Sequence, residues 1–181
     1  MTAKELETLR YPIGKFNCPD HISKEHIESW IAVLEHFPNR LKSLVSNLSE
    51  EQLNTSYRPQ GWTVRQVIHH IGDSHHHCYS RLKWTLTEES PIIKTYYEDR
   101  WAELIDSKEA PIEIALDYIK ALHGKMVYLL NMLEEEDLNK HFIHPETNSQ
   151  FTLKYTIGNY AWHSNHHYVH IENLLKRKGW I

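Results

Sequence analysis

The chain has 181 residues, of which 40% are hydrophobic and 24% charged, and this balance excludes a disordered or fibrous protein. Its length is typical of one domain, so we expect a single domain over residues 1–181. A net charge of −4 without a basic stripe argues against a nucleic-acid binder, and no apolar run approaches the roughly 18 residues that a membrane span needs.

Residues 1–22 show no helical periodicity and contain Pro12 and Gly14. They predict an extended N-terminal arm that lies over the surface of the chain or over a partner chain. No apolar segment occurs at the start of this arm, so a secretory signal is not expected. Cys18 and Cys78 form no spacing pattern, which favours a reducing environment. These features predict a cytoplasmic protein.

Four long helices are predicted after the arm. The first begins at a Ser23 cap and contains Pro38, where we expect a kink or a break. The second begins at Thr63, the third begins near Pro111, and the fourth covers about residues 152–178. Apolar residues recur in each at spacings of three and four, which is typical of a helix with one buried face.

A weak internal repeat accompanies these helices. Residues 48–54 (LSEEQLN) resemble residues 133–139 (LEEEDLN), and each segment precedes a proline-containing loop and a long helix. Either a helix pair was duplicated, which would close naturally into a four-helix bundle, or ordinary capping chemistry arose twice. No alternating apolar pattern predicts a strand, so we expect an all-α fold. The connection at 91–108 is long enough for a lid, although a simple crossover is the default.

Histidine is the unusual residue: fifteen occur, and nine of them lie in the windows 69–77 and 163–170. Neutral imidazole is a good ligand for zinc, nickel, copper and iron. Two histidines four residues apart on a helix lie on the same face and can share one ion. Two dense clusters on helices with apolar stripes therefore predict a metal site, whereas isolated histidines of this kind are usually core or surface residues.

Helical geometry selects three candidate ligands. At about 100° per residue, His70 lies about 100° from the centre of the apolar stripe of its helix. His163 and His167 lie about 110° and 70° from the centre of theirs. His69 and His166, at about 160° and 170°, are predicted to face solvent and are the poorest candidates. We therefore predict that His70, His163 and His167 are metal ligands.

Other polar residues have open roles. We interpret the histidine run at 75–77 as polar filler, although His75 falls on the apolar stripe of its helix. Asp73 lies one turn past His70, where it would orient a ligand, act as a base, or be an ordinary surface carboxylate. Arg65 is expected to pair with an acid on the helix surface rather than to steer a substrate. The zinc-peptidase motif HExxH is absent, because residues 163–167 read HSNHH and lack the glutamate base.

Several longer motifs identify a family. They are YPIG at 11–14, GWTVRQV at 61–67, DSH at 73–75, LTEE at 86–89, DSK at 106–108, LHG at 122–124, HP at 144–145 and WHSNHH at 162–167. With these motifs the chain resembles, over nearly its whole length, the DinB-like superfamily. Within that superfamily it is most similar to the YfiT-like metal-dependent hydrolases and the bacillithiol transferases.

The resemblance implies a four-helix bundle, often dimeric, that holds one divalent metal by three histidines. The matching positions are His70, His163 and His167, the trio that helical geometry selects. Zn²⁺ is the first expectation for the metal and Ni²⁺ the second. We expect a homodimer that acts on a small-molecule substrate and binds neither nucleic acid nor a membrane.

Two chemistries and one non-catalytic role follow. In a hydrolase, the metal would lower the pKa of a bound water that attacks a small substrate. In a thiol S-transferase of the bacillithiol type, the metal would bind a low-molecular-weight thiol as its thiolate, which attacks a small electrophile. A bundle that binds metal without catalysis is the third interpretation. The hydrolase is the first prediction, with Asp73 as a residue that orients a ligand or acts as a base.

Overall fold

The structure is a computed structural model that describes residues 2–181. Within these residues it has nine helices and one two-stranded sheet. The helices are α1 (Ala3–Arg10), α2 (Lys24–Val45), α3 (Glu50–Leu53), α4 (Val64–Thr87), α5 (Glu98–Trp101), α6 (Ile105–Glu109), α7 (Ile112–Leu130), α8 (Glu135–Asn139) and α9 (Leu153–Lys178). The strands are β1 (His141–His144) and β2 (Ser149–Thr152).

The four long helices α2, α4, α7 and α9 form a bundle. Helix α2 packs against α7 and α9, and α4 packs against the same two helices. The predicted four-helix bundle is therefore confirmed. None of the helices in residues 2–181 combines the length and the apolar composition that crossing a bilayer requires.

The predicted helix starts at Ser23 and Thr63 are confirmed by their caps. The hydroxyls of Ser23 and Thr63 accept hydrogen bonds from the backbone N–H groups of His26 (3.4 Å) and Gln66 (3.2 Å). Such a cap contributes about 1 kcal/mol, because it satisfies a donor that the first helical turn leaves free. At the other end of α9, Gly179 adopts a left-handed φ of 66°, the usual role of glycine after a helix.

Two apolar clusters fill the bundle, one towards each end. The first includes Phe37, Ile68, Ile119 and Ile171, and the second includes Leu34, Leu82, Met126 and Ile157. On α4, α7 and α9, a segment with buried histidines separates the two clusters. The middle of the bundle is therefore polar, and the two apolar ends hold it together.

The N-terminal arm was expected to be extended, but part of it is helical. Residues Ala3–Arg10 form α1, which begins at a capping box between Thr2 and Glu5. The capping box is a local signal that apolar periodicity does not detect, because α1 has no buried residue. After α1 the arm crosses α9 of its own chain, where the indole N–H of Trp162 donates to the carbonyl of Gly14 (3.2 Å).

The break considered at Pro38 does not occur, since α2 is continuous from Lys24 to Val45. A proline inside a helix has no N–H for the carbonyl four residues earlier. That carbonyl belongs to Leu34, and the ring of His123 donates to it from Nδ1 (2.7 Å). Tertiary structure thus supplies the hydrogen bond that Pro38 removes.

The expectation of no strands is wrong at one place. Strands β1 and β2 form an antiparallel hairpin that precedes α9, with Phe142 paired to Phe151. Each strand has four residues, and neither HFIH nor SQFT alternates apolar and polar residues, so no pattern marks them as strands. The hairpin is extended by the start of the 91–108 connection, where the N–H of Ile93 donates to the carbonyl of Ile143 (3.1 Å). The rest of that connection contains α5 and α6.

Candidate metal centre

The three predicted ligands lie together in the middle of the bundle. One ring nitrogen each from His70, His163 and His167 lies within 4.8 Å of the other two. His70 comes from α4, and the other two come from neighbouring turns of α9. Their ring centroids are 4.5 to 5.4 Å apart. The arrangement is that of a three-nitrogen facial set that could hold one metal ion.

Burial keeps these imidazoles neutral. Desolvation, with a smaller contribution from His166, lowers the pKa of His70 to about 4. Desolvation also lowers the pKa values of His163 and His167 well below the usual range, and the neighbouring histidines add to the effect. A metal binds the neutral form of histidine, so all three side chains are in the binding form at neutral pH.

The cluster lines an open cavity of about 410 Å³. Three arginines, Arg10, Arg58 and Arg81, and one acidic residue, Glu98, line it, and within residues 2–181 only Arg10 of the three arginines forms an ion pair, with Glu7 (3.8 Å). Aromatic rings complete the wall, among them Trp62, whose ring centroid lies 4.6 Å from that of His70. The cavity therefore offers three nitrogen ligands beside a surplus of positive charge.

A second cavity of about 200 Å³ adjoins the first. The two share Arg81, Asn159 and Tyr160. Phe142 and Phe151 of the hairpin line the second cavity, so its wall is largely aromatic. A molecule in the first cavity could therefore extend an apolar group past Arg81.

Asp73 does not line either cavity. Its carboxyl group is half-buried, and desolvation together with the nearby Asp106 raises its pKa to about 6. Its suggested part as a base stays a prediction. Arg65 pairs with Glu50 and donates to the carbonyl of Ala110 (2.8 Å), so it has the surface partner expected of it.

Two predictions about other histidines are wrong. His166 is buried rather than exposed, because the N-terminal arm covers this face of α9 and places Tyr11 against its ring (centroids 5.9 Å apart). His75 is not filler: it is fully buried, and its ring nitrogens lie 2.9 Å from His123 and 3.1 Å from His163. The spacing of Ile71, His75 and Cys78 already placed His75 within the apolar stripe of its helix. No local pattern pointed to His166, since its burial depends on a distant segment.

The fold and the cluster together define a four-helix bundle with a candidate metal centre. The profile of the DinB superfamily matches residues 34–171, and the chain belongs to this superfamily.

Individual relatives agree with this assignment. A protein of Bacillus cereus is 49% identical over 175 residues, which cover 97% of this chain and 100% of the relative. A protein of Bacillus anthracis is 48% identical with the same coverage, and both are named "Putative metal-dependent hydrolase". The solved structure of YfiT from Bacillus subtilis is 45% identical, with a TM-score of 0.94, and the match covers 96% of this chain and 99% of that one. It is described as "a probable metal-dependent hydrolase with an unusual four-helix bundle topology".

Proposed function

We propose that this chain is a metal-dependent hydrolase of a small-molecule substrate, with one divalent ion held by His70, His163 and His167. The observation that carries the proposal is the convergence of three neutral ring nitrogens within 4.8 Å beside an open cavity. The names of the relatives support the same class of enzyme.

The donor set fits zinc and nickel alike, because imidazole suits both ions, and Zn²⁺ stays the first expectation with Ni²⁺ the second. The cluster contains no carboxylate, so its three ligands would leave the 2+ charge of the ion uncompensated. When bound, such an ion supplies a Lewis acid that lowers the pKa of a coordinated water.

The charge of the cavity favours a substrate with an anionic group. Arg81 donates from Nη1 to the hydroxyl of Tyr160 (3.3 Å), and its buried Nε has no hydrogen-bond partner within residues 2–181. Arg58 and Arg10 line the same cavity, although Arg10 is paired with Glu7 (3.8 Å), and Glu98 is the one acidic residue among the lining residues. We therefore propose that Arg81 binds a carboxylate or another anion of the substrate, because a guanidinium fork matches such groups.

A thiol S-transferase is the second candidate. Attack by water benefits from a base, and Asp73 lies outside the cavity. A low-molecular-weight thiol that is already a thiolate needs no such base. The arginines would also suit a thiol that carries carboxylates.

The test begins with metal content. Untagged protein, purified without a metal-affinity column, is analysed by elemental mass spectrometry. Turnover of generic esters and amides is then measured with and without an added thiol. His163→Ala is expected to lose metal and activity while keeping its helical circular dichroism. His36→Ala is the matched control, because His36 is an exposed histidine on α2, away from the cavity.

Each result decides between the candidates. Close to one zinc or nickel ion per chain with thiol-independent turnover supports the hydrolase. Turnover only with a thiol supports the transferase, and metal without turnover leaves a binding module. Protein that contains no metal and takes up none on incubation refutes all three. Full activity in His163→Ala would refute the metal mechanism.

A further inference from the structure

A chain of buried histidines connects His163 to the backbone of α2. His163 Nδ1 lies 3.1 Å from His75 Nε2, and His75 Nδ1 lies 2.9 Å from His123 Nε2. The chain ends where His123 Nδ1 meets the carbonyl oxygen of Leu34 at 2.7 Å. That carbonyl is available because Pro38 has no N–H to offer it.

The end of the chain determines where each proton lies. A carbonyl only accepts, so His123 must carry its proton on Nδ1. A neutral imidazole has one N–H, so Nε2 of His123 accepts a hydrogen bond from Nδ1 of His75. The same reasoning makes Nε2 of His75 the acceptor for Nδ1–H of His163. His163 is left with an unprotonated Nε2.

The neutral state of the chain follows from its surroundings. His75 and His123 are 0% and 1% exposed, and Phe37 stacks on both rings, with centroids 6.1 and 5.6 Å away. Burying an unpaired charge in such a place is costly. Desolvation accordingly lowers the pKa of His123 to about 4.

A second chain reaches His167 from the other side of α9. His170 Nε2 lies 3.0 Å from the carbonyl oxygen of Arg10, and its Nδ1 lies 3.4 Å from Nδ1 of His167. Arg10 is the last residue of α1, where carbonyls have no helical donor. His170 must donate from Nε2 and accept at Nδ1, so His167 donates from Nδ1 and keeps an unprotonated Nε2.

We propose that His75, His123 and His170 are positioning residues that hold His163 and His167 in the Nδ1–H tautomer. Both then present an unprotonated Nε2 to the candidate metal centre. Each chain is anchored on a backbone carbonyl that its own helix leaves without a donor, one opposite Pro38 and one at the end of α1. Hydrogen bonds of this kind to the second nitrogen orient a ligand and raise its basicity.

The tautomers are tested without metal. Metal-free protein labelled with ¹⁵N in histidine gives two-bond ¹H–¹⁵N correlation spectra, assigned with His163→Ala and His167→Ala. Both histidines are expected to be protonated on Nδ1 and unprotonated on Nε2. Protonation of His163 or His167 on Nε2 overturns the proposal for the hydrogen-bond chain that ends at that histidine.

Variants test the positioning role. His75→Phe keeps an aromatic ring but removes the acceptor for His163, so a mixed tautomer of His163 and a dissociation constant for Zn²⁺ raised about 10- to 100-fold are expected. His75→Gln should restore part of both, because its amide oxygen can accept the same proton. His76→Phe is the matched control: His76 is exposed on the same helix and lies outside both chains. An unchanged His163 tautomer and Zn²⁺ affinity in His75→Phe would overturn the role of His75.

The assignment of the tautomers rests on the hydrogen bonds alone, and only the role of the unprotonated Nε2 atoms as metal ligands rests on the proposed function. If the tautomers are as expected but the wild-type chain does not bind Zn²⁺ or Ni²⁺, the metal site fails and the hydrogen-bond assignment stands. His75→Gln and the wild-type spectrum remain informative even if His75→Phe does not fold.

Discussion

Metal binding by this chain should be almost independent of pH between 7.5 and 5.5. The three ligands are neutral in the folded protein because burial lowers their pKa values, that of His70 to about 4. Protons therefore compete with the metal only when the pH falls towards that value. Ordinary histidines would already be protonated at pH 5.5, and the metal would have to displace those protons.

The expected loss of metal affinity between pH 7.5 and 5.5 differs greatly between ordinary and buried histidines. A histidine with a pKa near 6.5 is about 91% neutral at pH 7.5 and about 9% neutral at pH 5.5. Three independent ligands of that kind would weaken metal binding by roughly a thousandfold over this interval. A ligand with a pKa of about 4 is still about 97% neutral at pH 5.5. Because burial lowers the pKa values of His163 and His167 as well, binding by the three ligands should weaken far less than a thousandfold.

Calorimetry separates these cases directly. Zn²⁺ is titrated into metal-free protein at pH 6 in two buffers with different ionisation enthalpies, which reports the number of protons released. Fewer than about 0.3 protons per ion are expected, whereas three ordinary histidines would release about two. Circular dichroism at each pH verifies that the chain is folded. Release of about two protons, or a thousandfold loss of affinity by pH 5.5, would refute the idea that burial keeps these ligands neutral.

Further predictions concern stability. Burial lowers the pKa values of His70 and His123 to about 4, so the unfolded chain binds more protons than the folded one between pH 6.5 and about 4. The urea midpoint of metal-free protein should therefore fall as the pH drops through this range, and each of the two histidines should reduce the free energy of unfolding by about 3 kcal/mol. A midpoint that is constant from pH 7 to 4.5 contradicts this. Gly158→Ala places a Cβ 2.8 Å from the ring of Trp30 and should lower the free energy of unfolding in urea by about 1–3 kcal/mol. Gly124→Ala, in α7, places its Cβ in open space and should raise the same free energy by about 0.5–1 kcal/mol. Equal effects would show that the rings of Trp30, in α2, and Phe16, in the arm, do not pack against Gly158 as described. Thr63→Ala removes the α4 cap and should cost about 1 kcal/mol; no loss would mean that water replaces the cap.

The long helices and the central histidine cluster could be predicted from the sequence. Ser23, Thr63 and Gly179 lie where local capping chemistry requires them, and apolar spacing marks the inner face of each helix. Two histidines four residues apart must share a face of α9. These features are local, because they depend only on residues within one or two turns of the same helix.

The burial of His166 could not be predicted in this way. Helical geometry places His166 on the outer face of α9, and only the arm that crosses that face makes it a buried residue. The arm and α9 are about 150 residues apart in sequence, as in the hydrogen bond from Trp162 to Gly14. No local pattern encodes such a contact.

Pro38 shows the same division between local and tertiary information. The sequence determined that one carbonyl of α2 would lack its helical donor, which made a break a reasonable expectation. Only the tertiary structure decided that His123, from a different helix, would donate to that carbonyl and keep α2 continuous. The sequence by itself thus determined the helices, their inner faces and the three convergent histidines. Packing between distant segments decided which polar groups are buried, because burial is a property of the assembled helices and not of any one of them.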